Sequence, residues 1–212
     1  MSRIIIFANG VLPNIEKARA LVRPDDIVLC ADGGTYHALA LGLKPDLVVG
    51  DLDSITEAEL QQINAKVARY PHDKNETDLE LALNHALGLN PTSILIVAAL
   101  GNRLDQTLAN LALISDPRLA TLDLRLDDGL EEVFFCRTHS ILQGGPGHIV
   151  SLIPWNGVVT GIRTKGLRWP LNDETLYPDK TRGVSNEMVD AVAEVSIETG
   201  LLLVVHRRQS TN

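Results

Sequence analysis

The chain has 212 residues, 45% of them hydrophobic and 22% charged, with a formal net charge of −8. That balance is ordinary for a globular protein and excludes a disordered one, and the length allows one large domain or two small ones. The negative charge argues against wrapping nucleic acid or lying on an anionic membrane, but not against a phosphate ligand, because a bound cation inverts the charge locally. No apolar run is long enough to span a bilayer, and the N-terminus carries no leader-like segment. The only cysteines, Cys30 and Cys136, fit no metal spacing and read as free thiols of a reducing compartment. A cytoplasmic protein with no membrane or nucleic-acid partner is expected.

From residue 1 to about 126, strand-like and helix-like segments alternate, which is the pattern of a parallel sheet covered by helices. Strands are expected at 3–8, 26–31, 46–50, 66–70, 93–98 and 121–126. Helices are expected near 15–22, 35–41, 57–64, 77–87 and 105–114, with Gly42 and Gly88 where helices should end. Beyond Asp127-Asp128-Gly129 the pattern changes to short β-rich runs at 131–136, 149–153, 158–164, 192–197 and 201–206, separated by Gly- and Pro-rich turns. The fold expected is α/β. Residues 1–127 form a Rossmann-like, mostly parallel sheet with helices on both faces, and residues 128–212 a C-terminal antiparallel β-sandwich or barrel.

Chemistry concentrates after the N-terminal strands. Leu47-Val48-Val49-Gly50 reads as a buried strand, and the loop that follows carries Asp51 and Asp53 two residues apart. Carboxylates that close repel one another unless a cation lies between them, and hard cations such as Mg²⁺ take oxygen ligands and bring phosphates. Asn9-Gly10, Asp32-Gly33-Gly34, the loop 72–78 and Gly101-Asn102-Arg103-Leu104-Asp105 end four other strands, so five polar loops share one sheet edge. Thr77-Asp78-Leu79-Glu80 fits a capping box, which holds Asp78 in the first helical turn. There it serves either to complement the helix dipole or, beside Asp51 and Asp53, as a further direct or water-mediated metal ligand, and Lys74 can neutralise phosphate. Asp105 reads either as a plain N-cap with Arg103 its surface partner or, functionally, as a metal ligand or hydroxyl acceptor beside an Arg103 fork that matches phosphate oxygens. Leu104, Leu108, Leu111 and Ser115 share one side of the helix that follows. The glycines after Asp32 let the backbone approach a phosphate or base.

Six motifs in order resemble the thiamine pyrophosphokinase (thiamine diphosphokinase) family across nearly the whole chain. They are Ala31-Asp32-Gly33-Gly34, Gly50-Asp51-Leu52-Asp53-Ser54, Asp73-Lys74 with Thr77-Asp78, Gly101 to Asp105, Gly166-Leu167-Arg168-Trp169-Pro170-Leu171, and Gly183-Val184-Ser185-Asn186-Glu187. The resemblance implies an ATP-binding catalytic domain over 1–127 and a thiamine-binding domain over 128–212. It also implies a homodimer with its active site at the subunit interface, and Mg²⁺-dependent transfer of pyrophosphate from ATP to thiamine. By this resemblance Asp51, Asp53 and Asp78 hold Mg²⁺ with ATP, and Asp32, Gly33, Gly34, Lys74, Thr77 and Arg103 join the nucleotide site. Arg103 and Asp105 complete the catalytic set, while Trp169, Ser185 and Asn186 bind thiamine, whose cationic ring suits a tryptophan face. One departure is that Asn102 and Gln106 stand where the family often has Gly and His.

Two other readings share some of these residues. A haloacid-dehalogenase-like phosphatase would use Asp51 as nucleophile and Asp53 as acid–base residue. A non-catalytic nucleotide or thiamine-binding module would need fewer carboxylates.

Overall fold

The computed structural model describes residues 2–208. They fall into two compact units, and the chain passes from the first to the second between Gly129 and Leu130.

The first unit holds the strands β1 (Arg3–Phe7), β2 (Ile27–Ala31), β3 (Leu47–Gly50), β4 (Lys66–Arg69), β5 (Ser93–Val97) and β6 (Asp123–Asp127). They pair in parallel in the order β6-β5-β1-β2-β3-β4. Between them run α1 (Ile15–Arg19), α2 (Gly34–Ala40), α3 (Glu57–Ile63), α4 (Asp78–Leu87) and α5 (Leu104–Ile114). β1, β2, β3 and β5 read as largely continuous aliphatic runs because both of their faces are covered, whereas β4 is mostly exposed and β6 alternates leucine with charged residues. Ile5, Phe7, Val28, Cys30, Val48 and Val97 point one way and form a core with Ala18 of α1, Ala38 of α2 and Leu60 of α3. Ile4, Ile6, Leu29, Val49, Ile94 and Ile96 point the other way and are equally buried. α4, which has no residue in the first cluster, contacts β1, β2 and β3 through its buried Leu79, Ala82, Leu83 and Ala86.

Two local expectations change. Thr77 caps α4 through the Glu80 amide at 3.2 Å, but the complete reciprocal box forms on α3 instead, between Thr56 and Glu59. Glu80 instead adds a small pull on Arg118, whose guanidinium is held protonated chiefly by its hydrogen bond to Asp116. On α5, Leu111 and Ile114 are buried, whereas Leu104 and Leu108 are 73% and 49% exposed. The first two turns of α5 therefore stand clear of their own unit's core.

The second unit is a sandwich of two antiparallel sheets. Its strands are β7 (Glu131–Cys136), β8 (His139–Gln143), β9 (Ile149–Pro154), β10 (Val159–Lys165), β11 (Asn172–Leu176), β12 (Asn186–Glu187), β13 (Val192–Ser196) and β14 (Leu202–Arg207). β12-β9-β14-β7 make one sheet and β11-β10-β13-β8 the other. Phe134, Val150, Leu152 and Val204 from the first meet Leu142, Ile162, Leu176 and Val195 from the second in one core. Cys30 and Cys136 are both free and buried, and desolvation pushes the Cys30 thiol up to about 12.

Candidate active site

The strand order of the first unit reverses at β1. β2 to β4 extend from one side of it, and the chain then returns through α4 to lay β5 on the other. Open parallel sheets bind ligands at such a reversal, beyond the carboxyl ends of the strands. A cleft of about 630 Å³ opens there, lined by loops from five strands that bring Asn9, Asp32, Asp51, Lys74, Asp78 and Arg103 to its walls.

Asp32, Asp51 and Asp78 form its acidic floor, each offering an oxygen within 4.8 Å of the others. The register Ala31↔Val49 brings Asp32 beside the Gly50–Asp51 turn, and the α4 N-terminus delivers Asp78. Asp32 is 6% exposed and in a left-handed conformation (φ 44°), with Oδ2 accepting from Ser54 Oγ at 2.6 Å. Its Oδ1 is buried and has no hydrogen bond among the described residues. Asp78 Oδ1 is likewise buried without a well-formed hydrogen bond, although Lys74 Nζ lies 3.0 Å away. Burial holds the Asp78 carboxyl above the usual carboxylate range, a rise opposed by Lys74 and reinforced by Asp51 and Asp32. Orphaned carboxylate oxygens in an all-oxygen group are a donor set suited to a hard divalent cation. Leu52 (φ 61°) and Ala98 (φ 57°) bound the same edge in left-handed conformations that side chains rarely adopt. Strain of this kind gathers where a fold holds groups for function.

Asp53 lies farther out. It is exposed and joins Asp51 and His72 in a second group of ligand atoms within 4.8 Å, sharing Asp51 with the inner trio. His72, to which the sequence reading gave no role, contacts Asp51 Oδ2 through Nδ1 at 2.6 Å and holds the Asp51 carboxyl below its usual range. Its signal was its place in the strand-end loop 72–78. Arg103 lines the cleft but meets Asp105 through Nη2 at 2.5 Å and Nε at 3.1 Å. That pairing keeps Asp105 strongly ionised and holds the planar guanidinium in one orientation. Asp105 itself is outside the lining, and Thr77 lines the cleft as the α4 cap.

Gly33 and Gly34 are outside the lining too, and their need for glycine has another cause. A Cβ on Gly34 would strike the Phe7 carbonyl, and one on Gly33 the Asn9 amide, so both let α2 begin against the end of β1. Asn102 adopts φ 61° beside Gly101 at φ 76°, so asparagine keeps a turn that glycine also fits. Gln106 lines the cleft where the family often has histidine.

The other three expected residues lie in the second unit. Trp169 is 56% exposed, so it is not a core residue of the sandwich. Arg168 Cζ sits over its ring, 5.2 Å from the centroid. Ser185 is exposed with φ 60°, its N–H donating to Ser151 Oγ at 3.0 Å, and Asn186 is buried.

No helix among the described residues is long and apolar enough to cross a membrane. The family model for the thiamin pyrophosphokinase catalytic domain matches residues 18–126, and that for the vitamin B1 binding domain matches residues 138–202. A thiamine pyrophosphokinase of Bacillus subtilis is 28% identical over 210 residues, covering 97% of this chain and 98% of its own. Thiamine pyrophosphokinase 2 of Arabidopsis thaliana is 29% identical, covering 84% of this chain and 76% of its own. The crystal structure of thiamine pyrophosphokinase from Bacillus subtilis superposes with a TM-score of 0.87 at 26% identity, over 98% of this chain and all of that one (100%). The phosphatase reading falls with these matches, and its Asp-x-Asp loop follows β3, away from the strand where the order reverses. With both family models matched in order along its two units, the chain belongs to the thiamine pyrophosphokinase family and is an enzyme of that kind.

Proposed function

We propose that the chain transfers the pyrophosphoryl group of ATP to the hydroxyl of thiamine, with Mg²⁺ held by Asp32, Asp51 and Asp78 and with Asp53 at the outer edge. The observation that carries the reading is the orphaned oxygen of Asp32, a buried carboxylate grouped with two others at the sheet reversal, in a chain of this family. When bound, Mg²⁺ supplies charge neutralisation for the polyphosphate. The rest is positioning, which is most of what phosphoryl-type transfer asks of a protein. Lys74, held 3.0 Å from Asp78, and Arg103, held by Asp105, present cations to the phosphate oxygens. Ser54 keeps Asp32 aimed by occupying its other oxygen. In the second unit, the exposed Trp169 ring offers its face to the thiazolium cation, and the exposed Ser185, next in sequence to Asn186, offers a hydroxyl.

Isotope position tests the reaction. ATP labelled at the γ-phosphate is expected to leave its label on thiamine diphosphate and to release unlabelled AMP. Formation of ADP with thiamine monophosphate overturns the reading.

The reading extends to a homodimer whose sites each combine aspartates of one chain with Trp169 of the other. The uncovered Leu104 and Leu108 on α5 give such a dimer apolar surface to use. Mixing Asp51→Asn chains with Trp169→Ala chains distinguishes shared from separate sites. Half the randomly exchanged dimers are mixed and each mixed dimer holds one whole site of two, so activity returns to roughly a quarter of wild type. With subunit exchange confirmed, no recovery means that each site lies within a single chain.

A further inference from the structure

We infer that Asn186 serves as a positioning residue for Trp169 instead of touching the substrate. Its side chain is buried (6% exposed), and both ends of its amide are occupied by one neighbour. Nδ2 donates to the Trp169 carbonyl at 2.7 Å, and Oδ1 accepts from the Trp169 N–H at 3.1 Å. Oδ1 also accepts from the Glu187 N–H at 2.9 Å. A buried amide engaged at its carbonyl by two donors, and at its nitrogen by a carbonyl, has little left for a ligand.

The arrangement fills a break in backbone pairing. Leu167 bridges Met188, and the Arg168 N–H donates to the Glu187 carbonyl at 2.8 Å. At Trp169 the side chain of Asn186 takes over from the backbone and presents one donor and one acceptor, as a strand residue would. Pro170 follows and brings no N–H of its own. Asn186 therefore fixes both peptide groups of the residue whose ring projects into solvent. Arg168 is fixed in turn by Glu187 Oε2 at 3.0 Å, and the indole stays 56% exposed even with that guanidinium over it. Ser151 holds the left-handed Ser185, which precedes Asn186 in the chain. The segment is organised to hold an aromatic face open in one place, which lowers the ordering cost of binding.

The inference rests on the reading of Trp169 as the platform for thiamine, and the test separates the two. The background is Trp155→Phe, which leaves Trp169 as the only tryptophan. In it, Asn186→Ala is expected to raise the KM for thiamine about tenfold, the loss of one or two hydrogen bonds. The KM for ATP and kcat stay within about twofold. Trp169 emission becomes more accessible to iodide in the absence of any substrate. Asn186→Asp, which keeps the shape but turns the donor into a second acceptor facing the Trp169 carbonyl, behaves like Asn186→Ala and carries the comparison if the alanine variant does not fold. A raised thiamine KM with unchanged iodide accessibility makes Asn186 a direct contact and overturns the inference. An unchanged thiamine KM in the Asn186 variants overturns it too, while a raised value in Trp169→Ala leaves the platform standing. No effect of Trp169→Ala on thiamine KM removes the platform itself.

Discussion

Asp51→Asn is expected to lower kcat by about a thousandfold or more at saturating ATP, thiamine and Mg²⁺, while the melting temperature without Mg²⁺ shifts only slightly. Asp51 belongs to both groups of ligand atoms, so its loss breaks the inner trio and the outer one together. A metal that neutralises transferring phosphates contributes several kcal/mol to the transition state, and each ~1.4 kcal/mol is a factor of ten. The effect on stability is small because two terms oppose. Removing Asp51 relieves some repulsion on Asp78, whose carboxyl is raised chiefly by burial, but it also gives up the contact to His72 that holds Asp51 below its usual range. Asp53→Asn loses less, because Asp53 is exposed and outside the inner trio. Activity assays beside melting curves with and without Mg²⁺ check the pair. Near-normal turnover of Asp51→Asn, or a large fall in its metal-free melting temperature, would remove Asp51 from the metal site.

Gly34→Ala is expected to cost about 3 kcal/mol or more, a figure set by overpacking against a backbone that cannot yield. In a chain of this size that lowers the melting temperature by roughly 6–12 °C. The new methyl meets the Phe7 carbonyl, and Phe7 is fully buried at the end of the central strand. The cost comes from sterics, not φ, since Gly34 is an ordinary helical residue of α2. Either α2 or the end of β1 must shift, and both border Asp32, so activity falls as well. The control is Gly42→Ala, whose site has open space around it but a φ of 76°. There the cost is backbone strain alone, about 1 kcal/mol. Denaturation midpoints of the two variants rank them, and a Gly34→Ala protein as stable as Gly42→Ala removes the packing argument.

Legibility in the sequence divides along physical lines. Most strands and helices of the first unit were readable because its buried parallel strands are aliphatic runs and the starts of α1 to α4 carry Asn, Gly or Thr. In the second unit β8, β11 and β12 escaped notice. His139–Gln143 and Asn172–Leu176 are largely polar and half exposed, and Asn186–Glu187 is two residues long. What makes these strands is a partner far along the chain, as when Val192–Ser196 pairs with His139–Gln143, and no local pattern records that. The site divides in the same way. Asp51 and Asp53 announce themselves by proximity in sequence, yet the deeper trio joins Asp32, Asp51 and Asp78 through the register of β2 on β3 and the entry of α4. Burial was the other unreadable quantity. The leucines that begin α5 look like core in sequence and are exposed, whereas Asn186 looks like a ligand contact and is buried.

The placement of β5 beside β1 has a consequence during synthesis. Ile4 meets Ile27 within 23 positions on one side (27 − 4) but meets Ile94 only after 90 on the other (94 − 4). A ribosome adding ~5–20 residues per second needs on the order of several seconds to cover that gap. Throughout that interval the unbroken apolar run Ile4-Ile5-Ile6-Phe7 has one bare edge, and only the arrival of residues 93–97 closes it. The reversal that creates the cleft is thus a late join of the nascent unit, followed among its strands only by β6 on β5, so the loops of β1 and β5 cannot face each other until residues 93–97 have been made.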